Sequence, residues 1–394
     1  MVKVDLIYSG FINAPNGASR FVKLMSSLKK EFSERNVDLR VFSSDVFLKK
    51  ARPCVQSESS RDAKKHKMLE DIAKRSCIFT WLLLRRRYFS NSERIVNYYN
   101  NLPNEEKGDI IAFQEFYTCY TYLKQGENKQ KVLVTLHNDG NVWPMLYDRY
   151  PRLKSHYFDG FKKKVFEVLK RSDKIGFVSE HSRLNFCKLN PDYPTAQTFF
   201  VYNGVMDKRL DKEQSCTDDI ITFVCVGTLC ERKNQIGILR AINLLSKDLQ
   251  KKIRLVLVGD GPSREEIENY SSQLVSDILL VGSSNRVDDY LAMSDCFILF
   301  SKVEGLPISI IEGMRAKLPI IGTRVAGIPE QIIDGKSGYI VEVDEHKLAD
   351  ILKKVVSNGR EQLREMGERS YDLFKEKFTI EAMLGGYVSL YKSV

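Results

Sequence analysis

Apolar positions along this chain form short runs, which alternate with longer stretches whose apolar residues are spaced three or four apart. The chain opens with such a run, MVKVDLIYSG, and residues 19–36 then place apolar side chains on one helical face. Short apolar runs are typical of strands buried in a parallel sheet, and the second spacing is typical of amphipathic helices. Their alternation predicts βα units and hence an α/β fold.

Twelve runs are predicted to be strands, in two series of six. The first series covers 4–9, 37–42, 109–113, 132–136, 174–178 and 198–202. The second covers 220–226, 253–258, 278–281, 296–300, 320–323 and 339–343. A polar stretch over 207–219 separates the two series, and 394 residues exceed what one core usually supports. We therefore predict one domain over 1–205 and a second from 206 onward.

Composition places the chain among globular proteins. Hydrophobic residues make up 43% and charged residues 28%, which excludes the disordered, collagen-like and coiled-coil classes. No run reaches the roughly 20 apolar residues that cross a bilayer, and the N-terminus lacks the apolar run of a secretion signal. The eight cysteines form no C-x-x-C pair, so a zinc or redox motif is not expected. Buried free thiols in a cytoplasmic protein are the expectation.

Positive charge is concentrated in the first half. Residues 1–205 carry 35 Lys and Arg against 22 Asp and Glu, a net charge of +13, whereas the remainder has 26 against 29, or −3. Within the first half, the run CIFTWLLL at 77–84 is followed directly by three arginines. This pattern fits an apolar tip with a basic collar on an anionic membrane, and it equally fits an internal helix with a charged end.

The stretch from 301 to 330, SKVEGLPISIIEGMRAKLPIIGTRVAGIPE, carries the candidate chemistry. A buried strand ends near Ser301, a turn follows, and Pro307 is predicted at the first position of a helix. The N–H groups and the dipole at a helix start bind phosphate. Glu304 and Glu312 flank this position, and carboxylates suit sugar hydroxyls; the alternative is a turn residue and a solvated helix face.

This stretch resembles the E-x7-E motif of the retaining glycosyltransferases of family 4, the glycosyl transferases group 1. Glu304 and Glu312 match its two acidic positions, and the similarity continues through LPIIGT at 318–323 and GIPE at 327–330. The resemblance implies two Rossmann-like domains with parallel sheets facing across a cleft. It also implies that a C-terminal helix, about 378–394, crosses back to complete the N-terminal, acceptor-side domain. The second domain, 206–377, would then bind the nucleotide-sugar donor.

Further donor-binding residues follow from the resemblance. The segment VGTLCERKN at 226–234 is similar to the family's glycine–basic loop, in which Gly227 and Lys233 match. Thr228 stands where the family commonly has an arginine, and Arg232 is the expected substitute. Arg286 falls in the family's base-contacting region. The turn and helix start contribute the remaining expected contacts, Gly305, Leu306, Pro307 and Ile308.

Two positions in the first domain match the same family. His137 ends the predicted strand at 132–136, and the carboxyl ends of parallel strands are where α/β sheets bind ligands. It coincides with the family's histidine near the reactive centre. Gly17 belongs to the loop after the first strand, where many members carry two glycines and this chain has one.

The resemblance implies a hexosyl- or N-acetylhexosaminyl-transferase that acts with retention of configuration. Glu304, His137 and Lys233 would be catalytic, with Glu304 on hydroxyls of the transferred sugar and Glu312 on the ribose. No metal or cofactor is expected, because the chain lacks a D-x-D motif. The expected co-substrate is a nucleotide sugar, with UDP-sugar favoured over GDP-sugar.

The expected acceptor is a glycan or a polyprenyl-diphosphate-linked saccharide in cell-surface polysaccharide or glycolipid synthesis. The expected localisation is cytoplasmic. If residues 77–87 bind an anionic membrane, the protein would lie at the inner face of the plasma membrane. A nucleic-acid partner is not expected, since no recognition module is present. Two alternatives stay open: a sugar-nucleotide epimerase of similar fold, and a catalytically inactive membrane scaffold.

Overall fold

The fold was analysed in a computed structural model, which describes residues 1–13, 17–47, 76–126, 129–141, 155–208, 210 and 219–394. Its described residues form two six-stranded parallel sheets with helices. The predicted α/β class with two parallel sheets is therefore confirmed, and all twelve predicted strands are present within a few residues of their predicted ends. Each sheet belongs to a separate compact unit.

The first unit comprises Met1–Val178, Arg183–Val201 and Leu384–Val394. Its sheet has the strand order β2-β1-β3-β4-β5-β6. The strands are β1 (Val2–Tyr8), β2 (Val37–Ser43), β3 (Ile110–Phe113), β4 (Lys131–Leu136), β5 (Lys174–Phe177) and β6 (Thr198–Phe200). Every residue of β3 is buried, as expected for a central parallel strand covered on both faces.

Helices cover this sheet. They are α1 (Gly17–Ser27), α2 (Lys29–Glu34), α3 (Cys77–Leu84), α4 (Ser90–Asn100), α5 (Phe116–Leu123), α6 (Ser155–Arg171) and α7 (Glu180–Leu189), with a π-helical turn over Arg85–Phe89 between α3 and α4. The single helix predicted over 19–36 is wrong in one respect. Leu28 has φ −95° and ψ 14°, so the helix ends before it and α2 begins after it.

The second unit comprises Ser179–Ser182 and Tyr202–Met383. Its sheet order is β12-β11-β10-β7-β8-β9. The strands are β7 (Ile221–Val226), β8 (Ile253–Val258), β9 (Asp277–Gly282), β10 (Cys296–Leu299), β11 (Ile320–Thr323) and β12 (Gly338–Val341). β7 and β10 are adjacent, with Cys296 opposite Phe223. The loops that follow these two strands are therefore neighbours, although about 70 residues of sequence separate them.

The helices of the second half of the chain are, in order, α8 (Gln235–Asn243), α9 (Lys247–Gln250), α10 (Arg264–Ser271), α11 (Val287–Ala292), α12 (Ile308–Arg315), α13 (Glu345–Lys377) and α14 (Ile380–Ser393). The long helix α13 is kinked at Gly359, whose φ of 74° lies in the left-handed region that glycine tolerates. Within the described residues, no helix combines the length and the apolar character needed to cross a bilayer.

A buried charge holds the first unit together at Asp5, in the middle of β1. Asp5 is fully buried and accepts hydrogen bonds from Arg40 Nε at 2.8 Å and Arg40 Nη2 at 2.9 Å. Tyr99 Oη donates at 2.5 Å and the Gly108 N–H at 2.6 Å. The carboxylate thus ties β1 to β2, to α4 and to the segment before β3, which compensates its loss of hydration.

Replacing Asp5 by alanine should lower the free energy of unfolding of the first unit by about 3 kcal/mol. This is the low end of the range for breaking a buried ion pair, because Arg40 is 31% exposed and regains water. Urea unfolding followed by far-UV circular dichroism measures the shift of the unfolding midpoint. Glu105→Ala, at an exposed position, is the control; equal unfolding midpoints for the two variants would contradict the assignment.

Candidate active site

The second unit gathers charged side chains at the carboxyl ends of β7 and β10. Gly227 follows β7 directly with φ +152°, a conformation that favours glycine. A Cβ at Gly227 would lie 3.6 Å from Lys233 Cε, so the lysine stem crosses over the glycine. Lys233 itself is 9% exposed, and Asn234, in the left-handed conformation, turns the chain into α8. The predicted glycine–basic loop therefore positions a largely buried ammonium group.

Glu304 lies opposite this loop and is 8% exposed. Its Oε1 is 2.7 Å from Lys233 Nζ and 3.1 Å from a guanidinium nitrogen of Arg232. Neither contact has the alignment of a hydrogen bond, so the attraction is mainly electrostatic. Arg232 is 43% exposed along its side chain. We call Arg232, Lys233 and Glu304 the Glu304 cluster.

Two hydrogen bonds to main-chain oxygens hold the two loops of the Glu304 cluster together. The Lys302 N–H donates to Arg232 O at 2.8 Å, and Arg232 Nη1 donates to Val303 O at 2.8 Å. The cluster also affects Cys225 in β7. Burial raises the pKa of that thiol to about 12, and the nearby Lys233 and Glu304 charges act on it in opposite directions. Cys225 is consequently a protonated, structural thiol.

The turn after Glu304 is fixed through its carbonyl groups. Gly305 O accepts from the Gly327 N–H at 2.9 Å, and Pro307 O accepts from Gln331 Nε2 at 3.1 Å. Leu306 O accepts from Asn203 Nδ2 at 3.3 Å. These three carbonyl oxygens therefore have partners within the second unit, which holds the turn in one conformation.

Helix α12 starts one residue later than predicted. Pro307 is the N-cap, with an extended φ of −68° and ψ of 118°, and Ile308 is the first helical residue. The N–H groups of a first helical turn have no partner within the helix, and they carry the positive end of its dipole. Glu312, half-buried, lies one turn into α12. The start of this eight-residue helix thus follows Glu304 by four positions.

Arg286 has a different environment. It is the N-cap of α11, its side chain is 81% exposed, and its guanidinium pairs with Asp289. The structure therefore does not bring Arg286 into the Glu304 cluster, and its predicted contact with the base stays a prediction. Gly17, in the first unit, is the first residue of α1. Among the described residues, a Cβ there would meet no atom within 4 Å.

His137, in the first unit, follows β4 and is half-buried. Its Nε2 is 2.8 Å from Gln114 Oε1, and the Phe21 ring lies 5.0 Å from the imidazole between centroids. Loss of hydration lowers the pKa of His137 to about 4. The imidazole is therefore neutral near pH 7, which suits a hydrogen-bonding role more than a charged one.

Sequence reasoning missed several residues that shape these sites. Gln114 follows β3 as His137 follows β4, so the strand-end argument that selected His137 could have selected it. Asn203 and Gln331 hold the Glu304 turn from 103 and 24 positions away in sequence. Nothing local in the sequence indicates the contact of Asn203 with Leu306.

Known proteins are similar to this chain both in sequence and in fold. Residues 207–373 match the family model described as glycosyl transferases group 1. N-acetyl-alpha-D-glucosaminyl L-malate synthase of Bacillus anthracis is 31% identical over 236 residues, which are 57% of this chain and 61% of that protein. This chain thus spans less than two thirds of that relative.

Two further similarities cover more of the chain. A Campylobacter jejuni alpha-1,4-N-acetyl-D-galactosaminyltransferase, named for a PP-undecaprenol-linked saccharide, is 25% identical over 66% of this chain and 71% of its own length. The crystal structure of Anabaena HepE in complex with UDP and glucose has a TM-score of 0.66 at 12% identity, with both chains covered fully. That structural likeness concerns the fold.

The His137 imidazole should stay neutral between about pH 7.5 and about pH 5.5, because its pKa is lowered to about 4. The folded state then binds fewer protons than the unfolded state below the ordinary pKa of about 6.5, so acidification from about 6.5 towards 4 reduces stability. An NMR titration of the histidine ring signals measures the protonation of His137, and the His137→Asn variant assigns its signal. Movement of the His137 signal between about pH 7.5 and about pH 5.5 would contradict the lowered pKa of this imidazole.

Proposed function

We propose that this chain, whose residues 207–373 match the glycosyl transferases group 1 family model, moves a sugar from a nucleotide-diphosphate sugar to a saccharide or lipid-linked acceptor. The observation that carries the proposal is the Glu304 cluster. A nearly buried carboxylate lies 2.7 Å from the Lys233 ammonium and 3.1 Å from Arg232, four residues before a helix start. This combination offers cations for a diphosphate and an acceptor for sugar hydroxyls.

The diphosphate would bind between Lys233, Arg232 and the first turn of α12. Charge-assisted hydrogen bonds to phosphate oxygens are about twice as strong as neutral ones, and a sheltered site strengthens them further. Lys233 is 9% exposed, so its charge is screened little by solvent. As the bond between the anomeric carbon and the phosphate oxygen breaks, the departing diphosphate gains negative charge. Fixed cations and helix N–H groups stabilise that charge without rearranging.

Glu304 would accept hydrogen bonds from hydroxyls of the transferred sugar, and Glu312 from the ribose. Transfer with retention can proceed by attack of the acceptor hydroxyl on the face from which the phosphate leaves. In that step the acceptor oxygen bonds to the anomeric carbon, the phosphate oxygen departs, and the same phosphate oxygen takes the acceptor proton. His137 would orient the sugar or the attacking hydroxyl as a neutral imidazole.

The favoured donor is a UDP-sugar carrying a hexose or an N-acetylhexosamine. Two named proteins support this choice: HepE, which is similar in fold, was crystallised with UDP and glucose, and the Bacillus relative is named an N-acetyl-alpha-D-glucosaminyl L-malate synthase. The Campylobacter relative, named for a PP-undecaprenol-linked saccharide, supports a lipid-linked acceptor. The proposed role is therefore in cell-surface polysaccharide or glycolipid synthesis.

Contact with an anionic membrane is the second part of the proposal. Ile78 and Leu82, one turn apart on α3, are 65% and 49% exposed, and exposed Arg85 and Arg86 follow them. Next to this segment, Phe89 packs edge-on against Tyr117 and Phe161 with centroids 5.9 Å apart. Apolar side chains beside arginines suit insertion at the level of anionic headgroups, where each basic residue adds about 1 kcal/mol.

Lys233→Ala should lower the single-turnover rate of sugar transfer by about 10²–10³-fold, the usual loss for one preorganised charge stabiliser. A screen of UDP-, GDP- and ADP-sugars by thermal shift and hydrolysis first identifies the donor. Lys302→Ala is the matched control, since Lys302 lies in the loop before Glu304 but is 45% exposed and pairs with Glu231. A loss below threefold for Lys233→Ala would remove that residue from the site, and donor consumption without any acceptor would favour an epimerase.

Replacing Ile78 and Leu82 together by serine should weaken binding to phosphatidylglycerol-containing vesicles by about tenfold or more, given the apolar area that each side chain buries. Vesicle flotation measures the bound fraction, and neutral vesicles should retain little protein. Leu244→Ser is the matched control, because Leu244 is also 49% exposed but lies in the second unit. Equal flotation of all variants would count against the membrane surface.

A further inference from the structure

Gln114 and His137 form a pair at the carboxyl edge of the first sheet. β3 and β4 are adjacent and in parallel register, with Phe113 opposite Val134, so the residues that follow the two strands emerge side by side. Gln114 is 5% exposed. Its Oε1 lies 2.8 Å from His137 Nε2, within ordinary hydrogen-bond distance. Gln114 is thus a buried partner of His137 Nε2, and its position is fixed by the end of β3.

An amide oxygen can only accept a hydrogen bond, so Nε2 must carry the proton that joins this pair. In a neutral imidazole the other nitrogen, Nδ1, then has a free lone pair. The Phe21 ring, tilted at 58° to the imidazole, packs against it and restricts its rotation. Gln114 therefore determines both the orientation of the ring and the chemistry of the nitrogen that is left.

We propose that Gln114 is a positioning residue that fixes His137 as the Nε2–H tautomer, so that Nδ1 accepts a hydrogen bond from a hydroxyl of the sugar or acceptor. This inference rests on the proposed function for the identity of the hydroxyl, but the tautomer itself does not depend on it. His137 then orients a hydroxyl next to the reacting one by accepting a hydrogen bond from it, while the proton of the attacking hydroxyl goes to the departing phosphate oxygen. It does not donate to a developing negative charge.

Two uncharged groups, an aromatic ring and an amide, contact His137 in the described structure. α1 contributes the Phe21 ring and β3 contributes the Gln114 amide. The next residue, Glu115, directs its Oε1 to the Ser9 N–H at 3.1 Å and the Thr118 hydroxyl at 2.6 Å, and it also contacts the Ser9 hydroxyl. Its carboxylate is therefore engaged elsewhere.

Long-range ¹H–¹⁵N correlation spectra of ¹⁵N-histidine-labelled protein decide the tautomer directly, with His137→Asn for assignment. The expected result is a protonated Nε2 and an unprotonated Nδ1 near pH 7. An Nδ1–H tautomer or an imidazolium would overturn the inference, whether or not any donor sugar is transferred. Absence of transfer with every donor would instead defeat the proposed function, so the two failures are distinguishable.

Two variants test the consequence for transfer. Gln114→Met keeps the side-chain length but removes the acceptor, so mixed tautomers are expected. We expect kcat to fall by about 10–100-fold, the scale measured when the hydrogen-bond partner of a metal-binding histidine is removed. Gln114→Glu restores an acceptor with a negative charge. It should keep the Nε2–H but raise the His137 pKa, which moves the acid limb of the kcat profile to higher pH.

Gln130→Met is the matched control, because Gln130 belongs to the same unit but bonds Tyr99 and Gly108 instead of His137. It should leave both the tautomer and the pH profile unchanged. An unaltered kcat in Gln114→Met, with the protein folded, would overturn the positioning role. If Gln114→Met does not fold, the pH profile of Gln114→Glu and the wild-type spectrum still decide the question.

Discussion

A carboxylate that is 8% exposed loses most of its hydration, and burying its charge is costly unless nearby charges replace what water supplied. At Glu304 this replacement comes from Lys233 and Arg232, which approach the same oxygen. Both cations come from the loop after β7, whereas Glu304 comes from the loop after β10. The Glu304 charge can be compensated in this way only because the two strands are neighbours in the sheet.

The same requirement explains why the surrounding backbone is so constrained. Lys233 reaches Glu304 across Gly227, a position where a positive φ excludes most side chains. Arg232 is joined to the Glu304 loop by two hydrogen bonds, one accepted by its carbonyl oxygen and one donated by its guanidinium. A site that stabilises developing charge works best when its groups are already in place. In this unit the groups are held by the strands, by the glycine and by each other.

The strands were predictable because the sequence of a buried parallel strand is a continuous apolar run. All twelve strands coincide with such runs. The first and last residues of the helices were predicted less accurately. Leu28 interrupts a periodic stretch that predicts one helix, and Pro307 is the N-cap instead of the first helical residue. Both differences concern one or two dihedral angles that apolar spacing does not encode.

The family resemblance led to Glu304, Glu312 and Lys233, but their partners could not be predicted in the same way. Asn203 meets Leu306, and Gln114 meets His137, through contacts that exist only after the sheet is assembled. An amide side chain carries no charge and no periodic pattern that would distinguish it from a surface residue. Strand-end position was the only available signal, and it pointed to Gln114 as much as to His137.

The turn from Gly305 to Pro307 is fastened by three main-chain oxygens, and every residue type supplies that atom. Substitutions in the turn therefore leave all three acceptor atoms in place. Under the proposed function, exchange of the half-buried Ile308, one of the expected donor contacts, would change a group beside the bound sugar while these three hydrogen bonds are kept. The carbohydrate preference of such a scaffold would then diverge by single substitutions without a new loop.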